Sequence, residues 1–146
     1  MRSAPWSRWL TSGLLLVISA AALAAEQRSL VAPHLTNERL SDTDAAHLVI
    51  YEVGAEDAPL LVWLGGTGGK PVSGPQLFYE TALQQGYRLL ALSYLNTPGV
   101  SQVCVGATLR VQPTCAGQLR QHRAWGEPQT SLVADRSEDA IVPRLT

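Results

Sequence analysis

The chain has 146 residues and a formal net charge of -1, with 46% hydrophobic and 16% charged residues. That balance suits one globular domain and excludes a disordered acidic or basic chain. Eleven Lys and Arg against twelve Asp and Glu, with no basic run, lack the basic stripe of a nucleic-acid binder, so no nucleic-acid partner is expected. Two cysteines are too few for a disulfide framework and are wrongly spaced for a C-x-x-C redox or zinc motif, so neither a metal nor a cofactor is expected.

Residues 1–25 read as an export signal. Arg2 and Arg8 precede an apolar run from Leu10 to Leu23, and Ala22-Leu23-Ala24 fits an A-x-A cleavage site, with cleavage near Ala24 or Ala25. The apolar run is short for a membrane span, which needs roughly 20 apolar residues, so an uncleaved anchor is the lesser alternative. The expected location is secreted or periplasmic, with no stable membrane span after cleavage. Removal leaves residues 26–146, with a charge of about -3. In an oxidising compartment, Cys104 and Cys115 are expected to form a structural disulfide closing a short loop; the rival reading is a reactive thiol, whose nearest histidine in sequence is His122.

His47 to Val53 reads as a strand ended by Gly54 and the Glu56-Asp57-Ala58-Pro59 turn. Leu60 to Leu64 is a continuous apolar run, the pattern of a strand buried on both faces in a parallel sheet. It runs into Gly65-Gly66-Thr67-Gly68-Gly69-Lys70-Pro71. Ser73 with Gln76 forms a capping-box pattern, Pro75 fits a first helical turn, and Leu77, Phe78, Thr81, Ala82 and Leu83 follow at helical spacing up to a Gly86 C-cap. Tyr87 to Tyr94 reads as a second buried strand, which completes a strand–loop–helix–strand unit. Val100 to Val111 is expected to be a loop or short strand, Ala116 to Trp125 a helix, and Ser137 to Leu145 a helix start that Pro143 interrupts.

Three chemistries compete for the glycine loop. A Walker-type phosphate loop fails because Leu64 stands where the first glycine belongs and Pro71 follows Lys70 in place of Ser or Thr. A dinucleotide fingerprint fails because its third glycine would fall at Pro71. An oxyanion loop fits: a glycine-rich turn after a buried strand can bring backbone N–H groups close to the oxygen of a tetrahedral intermediate.

The run Leu61 to Pro71, with Gly86-Tyr87-Arg88 and Leu92-Ser93-Tyr94-Leu95-Asn96, resembles a group of secreted α/β-hydrolase-like proteins over roughly residues 45 to 125. The resemblance implies an α/β fold with a three-layer, mostly parallel sheet flanked by helices, a small ester as ligand, and an oxyanion donor at the amide of Gly66 or Thr67. The sequence departs from that family in containing no G-x-S-x-G nucleophile motif. Ser101 lacks the second glycine, Asp135 and Asp139 follow His122 where the family's order needs the acid first, and His34 and His47 lie far upstream. The chain is therefore expected to be the export signal and N-terminal part of a hydrolase-like protein, truncated or decayed, with no catalytic residue of its own. The alternative from another class is a small secreted module that uses the glycine loop to bind a ligand.

Overall fold

The computed structural model describes residues 25–40 and 45–145; the expected export signal, residues 1–25, lies outside the described residues, apart from Ala25. Nine regular elements follow in chain order: β1 (Glu26–Val31), α1 (Pro33–Thr36), β2 (His47–Glu52), β3 (Leu60–Leu64), α2 (Gln76–Gln84), β4 (Arg88–Leu92), α3 (Val100–Val103), α4 (Gly106–Val111) and α5 (Cys115–Trp125). Two 3-10 turns, Ser137–Asp139 and Val142–Arg144, come after them.

The sheet corrects the expected architecture. Its order is β1-β2-β4-β3. Only β3 and β4 run parallel, with Val62 opposite Leu90, whereas β1–β2 and β2–β4 are antiparallel. It is thus a small mixed sheet and not the mostly parallel, three-layer sheet of an α/β-hydrolase. The tight Gly54 turn and the unforeseen β1, which pairs along the whole of β2, supply the antiparallel half. The unit β3–α2–β4 is the one segment that obeys the parallel pattern, because a helix of nine residues lies between its strands.

Burial follows this topology. Leu48, Ile50, Leu89 and Ala91 face α2, which contributes Tyr79, Ala82 and Leu83. Leu61 and Trp63 pack against the same core, and the Trp63 and Tyr79 rings meet edge to face at 5.6 Å. Strand β3 is not buried on both faces: it ends the sheet, and Leu60, Val62 and Leu64 are exposed. The alternation hidden in an all-apolar run is set by the pleat, which sends successive side chains to opposite faces.

Helix α2 also differs in detail. Its inward face is Tyr79, Ala82 and Leu83, while Leu77 and Phe78 are exposed. No capping box forms; Pro75 is the N-cap, and Gln76 Nε2 donates to the carbonyls of Val72 and Gly74. The C-terminus matches expectation. Gly86 has φ +79, its N–H donates to Leu83 O, and the Tyr87 N–H donates to Ala82 O, the paired bonds of a Schellman ending.

A second small core gathers Cys104, Cys115 and Leu119 with Val100, Val103 and Leu132. Here two short helices replace the expected loop or strand. The Cys104–Cys115 disulfide holds Cα atoms 5.7 Å apart across a separation of 11 residues, so the chain must fold back on itself, and α4 with the Gln112–Cys115 turn does so. The disulfide is compatible with an oxidising, extracytoplasmic setting. Among the described residues no helix is long and apolar enough to cross a membrane. Replacing both cysteines with serine is expected to lower unfolding stability by about 2–3 kcal/mol, as the loop-closure entropy of so short a crosslink gives; denaturant titration of the reduced and oxidised protein checks it.

Candidate functional site

The glycine loop leaves β3 at the end where β4 also stops, since the two strands are parallel and in register from Leu60–Arg88 to Leu64–Leu92. Residues that follow each strand therefore meet. The Tyr94 hydroxyl donates to Gly65 O, Asn96 Oδ1 accepts from the Gly68 N–H at 3.1 Å, and Asn96 Nδ2 donates to Gly69 O at 2.8 Å. Within the loop the Gly69 N–H donates to Gly66 O at 2.8 Å. Gly68 has φ +73, a conformation that L side chains rarely adopt. Burial pushes the Tyr94 phenol above its ordinary pKa, with Arg123 opposing, so it is a neutral donor at physiological pH.

The loop is thus tied at Gly65, Gly68 and Gly69, and the amides of Gly66 and Thr67 are left over. Neither donates a hydrogen bond to protein among the described residues. Both residues line a cavity of about 340 Å³ together with Tyr94, Asn96, Arg120 and Arg123. Asn96 also lines a second cavity of about 260 Å³, with Gly68, Gly69, Lys70, Ser93 and Thr97. The Thr67 side chain is set by a close approach: a Cβ at Gly99 would lie 2.4 Å from Thr67 Oγ1, so only glycine fits beside it.

Sequence reasoning named Gly66 and Thr67 as oxyanion candidates and missed Tyr94 and Asn96 as the loop's anchors. The available signal was the parallel pairing, which brings the ends of consecutive parallel strands to one place. Arg120 and Arg123 were missed as well. They are three residues apart on α5, hence neighbours on one helical face.

The remaining polar residues are engaged elsewhere. His122 has Nδ1 3.2 Å from Pro128 O and Nε2 3.1 Å from Asp135 O, so both ring nitrogens face backbone carbonyls. Asp135 pairs with Arg123 Nε at 2.8 Å, and Arg123 Nη1 donates to Pro98 O. Asp139 is held by Arg136 and Arg144. Ser101 is exposed on α3, within a helix and not at a strand-to-helix turn. His34 is exposed in α1. Among the described residues no group of three or more His, Cys, Asp or Glu side chains could hold a metal ion.

His47 is buried at 2% exposure. Its Nδ1 accepts the Ser93 N–H at 3.0 Å, so the ring proton resides on Nε2, which is buried without a hydrogen-bond partner among the described residues. Burial first, and the Arg144 guanidinium second, lower its pKa below the ordinary 6.5. The unfolded chain therefore takes up this proton more readily than the native one. Stability is fully present above pH 6.5 and is lost as pH falls from there through the lower native value. Urea midpoints are expected to drop between pH 7.5 and pH 5, and His47→Asn, whose Oδ1 can accept the same N–H, is expected to flatten that dependence.

No family model, curated protein or solved structure matches this chain.

Proposed function

We propose that this chain is an exported protein related to the serine esterases, whose Gly65–Gly69 loop receives the carbonyl or oxyanion oxygen of a small acyl ligand at the amides of Gly66 and Thr67, and that it binds this ligand without hydrolysing it. The observation that supports the proposal is the pair of adjacent amides left without acceptors among the described residues, on a loop that Tyr94 and Asn96 hold at Gly65 O, Gly68 N–H and Gly69 O. Donors fixed in advance and aimed at one oxygen are what acyl chemistry requires, because negative charge develops on that oxygen. The glycine loop and the strand motif around Ser93-Tyr94 are those on which the resemblance to secreted α/β-hydrolase-like sequences rests. Export is supported by the charged, apolar and small-residue order of residues 1–25 and by the disulfide; the proposed destination is the periplasm or the extracellular space.

Binding without turnover follows from where the reactive groups lie. Hydrolysis in the serine-esterase manner needs a serine, or a cysteine in its place, hydrogen-bonded to a base. Both cysteines are in the disulfide, His122 faces two carbonyls, and His47 accepts a backbone N–H. Purified protein is expected to hydrolyse a chromogenic short-chain ester no faster than its Ser101→Ala variant. Robust turnover that Ser101→Ala abolishes would overturn the proposal. The reading as a dedicated ligand-binding module draws on one further observation, the two arginines in the cavity wall, since a neutral ester needs no cation.

A further inference from the structure

We infer that the ligand of this cavity is an organic anion, a short ester that also carries a carboxylate, with its acyl oxygen at the loop and its charge at Arg120 and Arg123. The inference rests on the loop reading above and goes beyond it by assigning the ligand's charge.

The cavity that holds Gly66 and Thr67 is walled on the α5 side by both arginines, and among the described residues no acidic residue lines it. Arg120 is an exposed side chain at its rim. Arg123 is buried, with 9% of its side chain exposed. Asp135 takes its Nε and the Pro98 carbonyl its Nη1, while Nη2 is buried with no hydrogen-bond partner among the described residues. With Nη2 enclosed and Asp135 on its Nε, Arg123 adds positive charge to the wall, and the exposed Arg120 is the accessible donor for an anion. Arginine's planar fork also matches a carboxylate with two parallel hydrogen bonds, which a lysine could not offer. Two sets of donors thus share one cavity. The amides suit a carbonyl oxygen, and the guanidinium groups suit a full negative charge.

The half-ester of a small dicarboxylic acid has both features, and its neutral diester has only the first. Monoethyl succinate is expected to bind the full chain about tenfold more tightly than diethyl succinate by calorimetry at low salt, with the advantage shrinking as ionic strength rises. Arg120→Gln, at an exposed position, is expected to bring that ratio below about threefold. In the same samples, the ¹⁵N–¹H signals of Gly66 and Thr67 are expected to move with both ligands. Equal affinities with both loop amides moving would overturn the charge assignment and leave the loop reading intact, as would a tenfold preference that survives Arg120→Gln. Binding that moves neither amide, or no binding by either ligand, would overturn the loop reading and the assignment with it.

Discussion

Arg144→Met is expected to be among the most destabilising single changes in this protein, costing about 3–5 kcal/mol and lowering Tm by about 10 °C. The Arg144 side chain is fully buried, and its partner Asp139 is 3% exposed. Nε donates to Asp139 O at 2.8 Å, Nη1 donates to Ser93 O at 3.2 Å, and Nη2 lies 3.4 Å from Asp139 Oδ1. One guanidinium therefore fastens the C-terminal 3-10 turns to the residue that follows β4. Methionine fills a similar length but leaves the Ser93 and Asp139 carbonyls and a buried carboxylate without that donor. Arg136, itself half exposed, still pairs with Asp139 Oδ2 at 2.8 Å and keeps the loss from being larger. Arg144→Lys is expected to recover only part of the loss, because a single ammonium cannot reach three acceptors in the fork geometry. Thermal unfolding of the three proteins tests the order. A Met variant within about 1 kcal/mol of the parent would show that the charge pair does not anchor this segment.

The second large effect is expected at Gly74. A Cβ there would stand 1.9 Å from Tyr79 Oη, 2.8 Å from Cζ and 3.0 Å from Trp63 Cη2. Tyr79 cannot retreat: it is fully buried, packs edge to face on Trp63, and donates its hydroxyl hydrogen bond to Pro71 O at 3.1 Å. Burial pushes that phenol up to about 12, against the opposing influence of Arg28, so it stays protonated and keeps donating. Gly74→Ala must therefore displace either the ring or the segment Pro71–Gly74 that leads out of the glycine loop, at about 2–3 kcal/mol. Tyr79→Phe alone should cost about 1 kcal/mol for the lost hydrogen bond. In the double variant the hydroxyl that causes the worst overlap is gone, so the combined loss should be clearly smaller than the sum of the two. Additive losses would show that the overlap is relieved elsewhere.

Both positions lie where the sequence is hardest to read. Local signals were legible: the limits of β3 at Leu60 and Leu64, the Gly86 ending of α2, the helix at α5 and the pairing of Cys104 with Cys115 all depend on residues close together in the chain. The glycine loop was legible for the same reason, since its conformation is demanded by its own residues. What failed was long-range. The apolar run Leu60–Leu64 has the composition of a central parallel strand, yet it ends the sheet, because position in a sheet is decided by which distant strand pairs with which. β1 carries Glu26, Gln27, Arg28 and Ser29, too polar to announce a strand, and forms through its ladder with β2. The Ser73–Gln76 capping pattern lost to Pro75, which took the N-cap place. At the site, Gly66 and Thr67 could be named from the loop, but Asn96 and Tyr94 are about 30 residues away, and their role exists only once β3 and β4 lie side by side.

The proposed function depends on two backbone donors being free for a ligand's oxygen. The most direct measurement is a titration of ¹⁵N-labelled full-length protein with acetate, the smallest carboxylate, followed at the amides of Gly66 and Thr67. Saturable downfield proton shifts are expected at these two amides, weakened when Asn96→Ala releases the loop from its clamp. Acetate leaving both amides unmoved, or amide protection showing them already bonded within the protein, would contradict it.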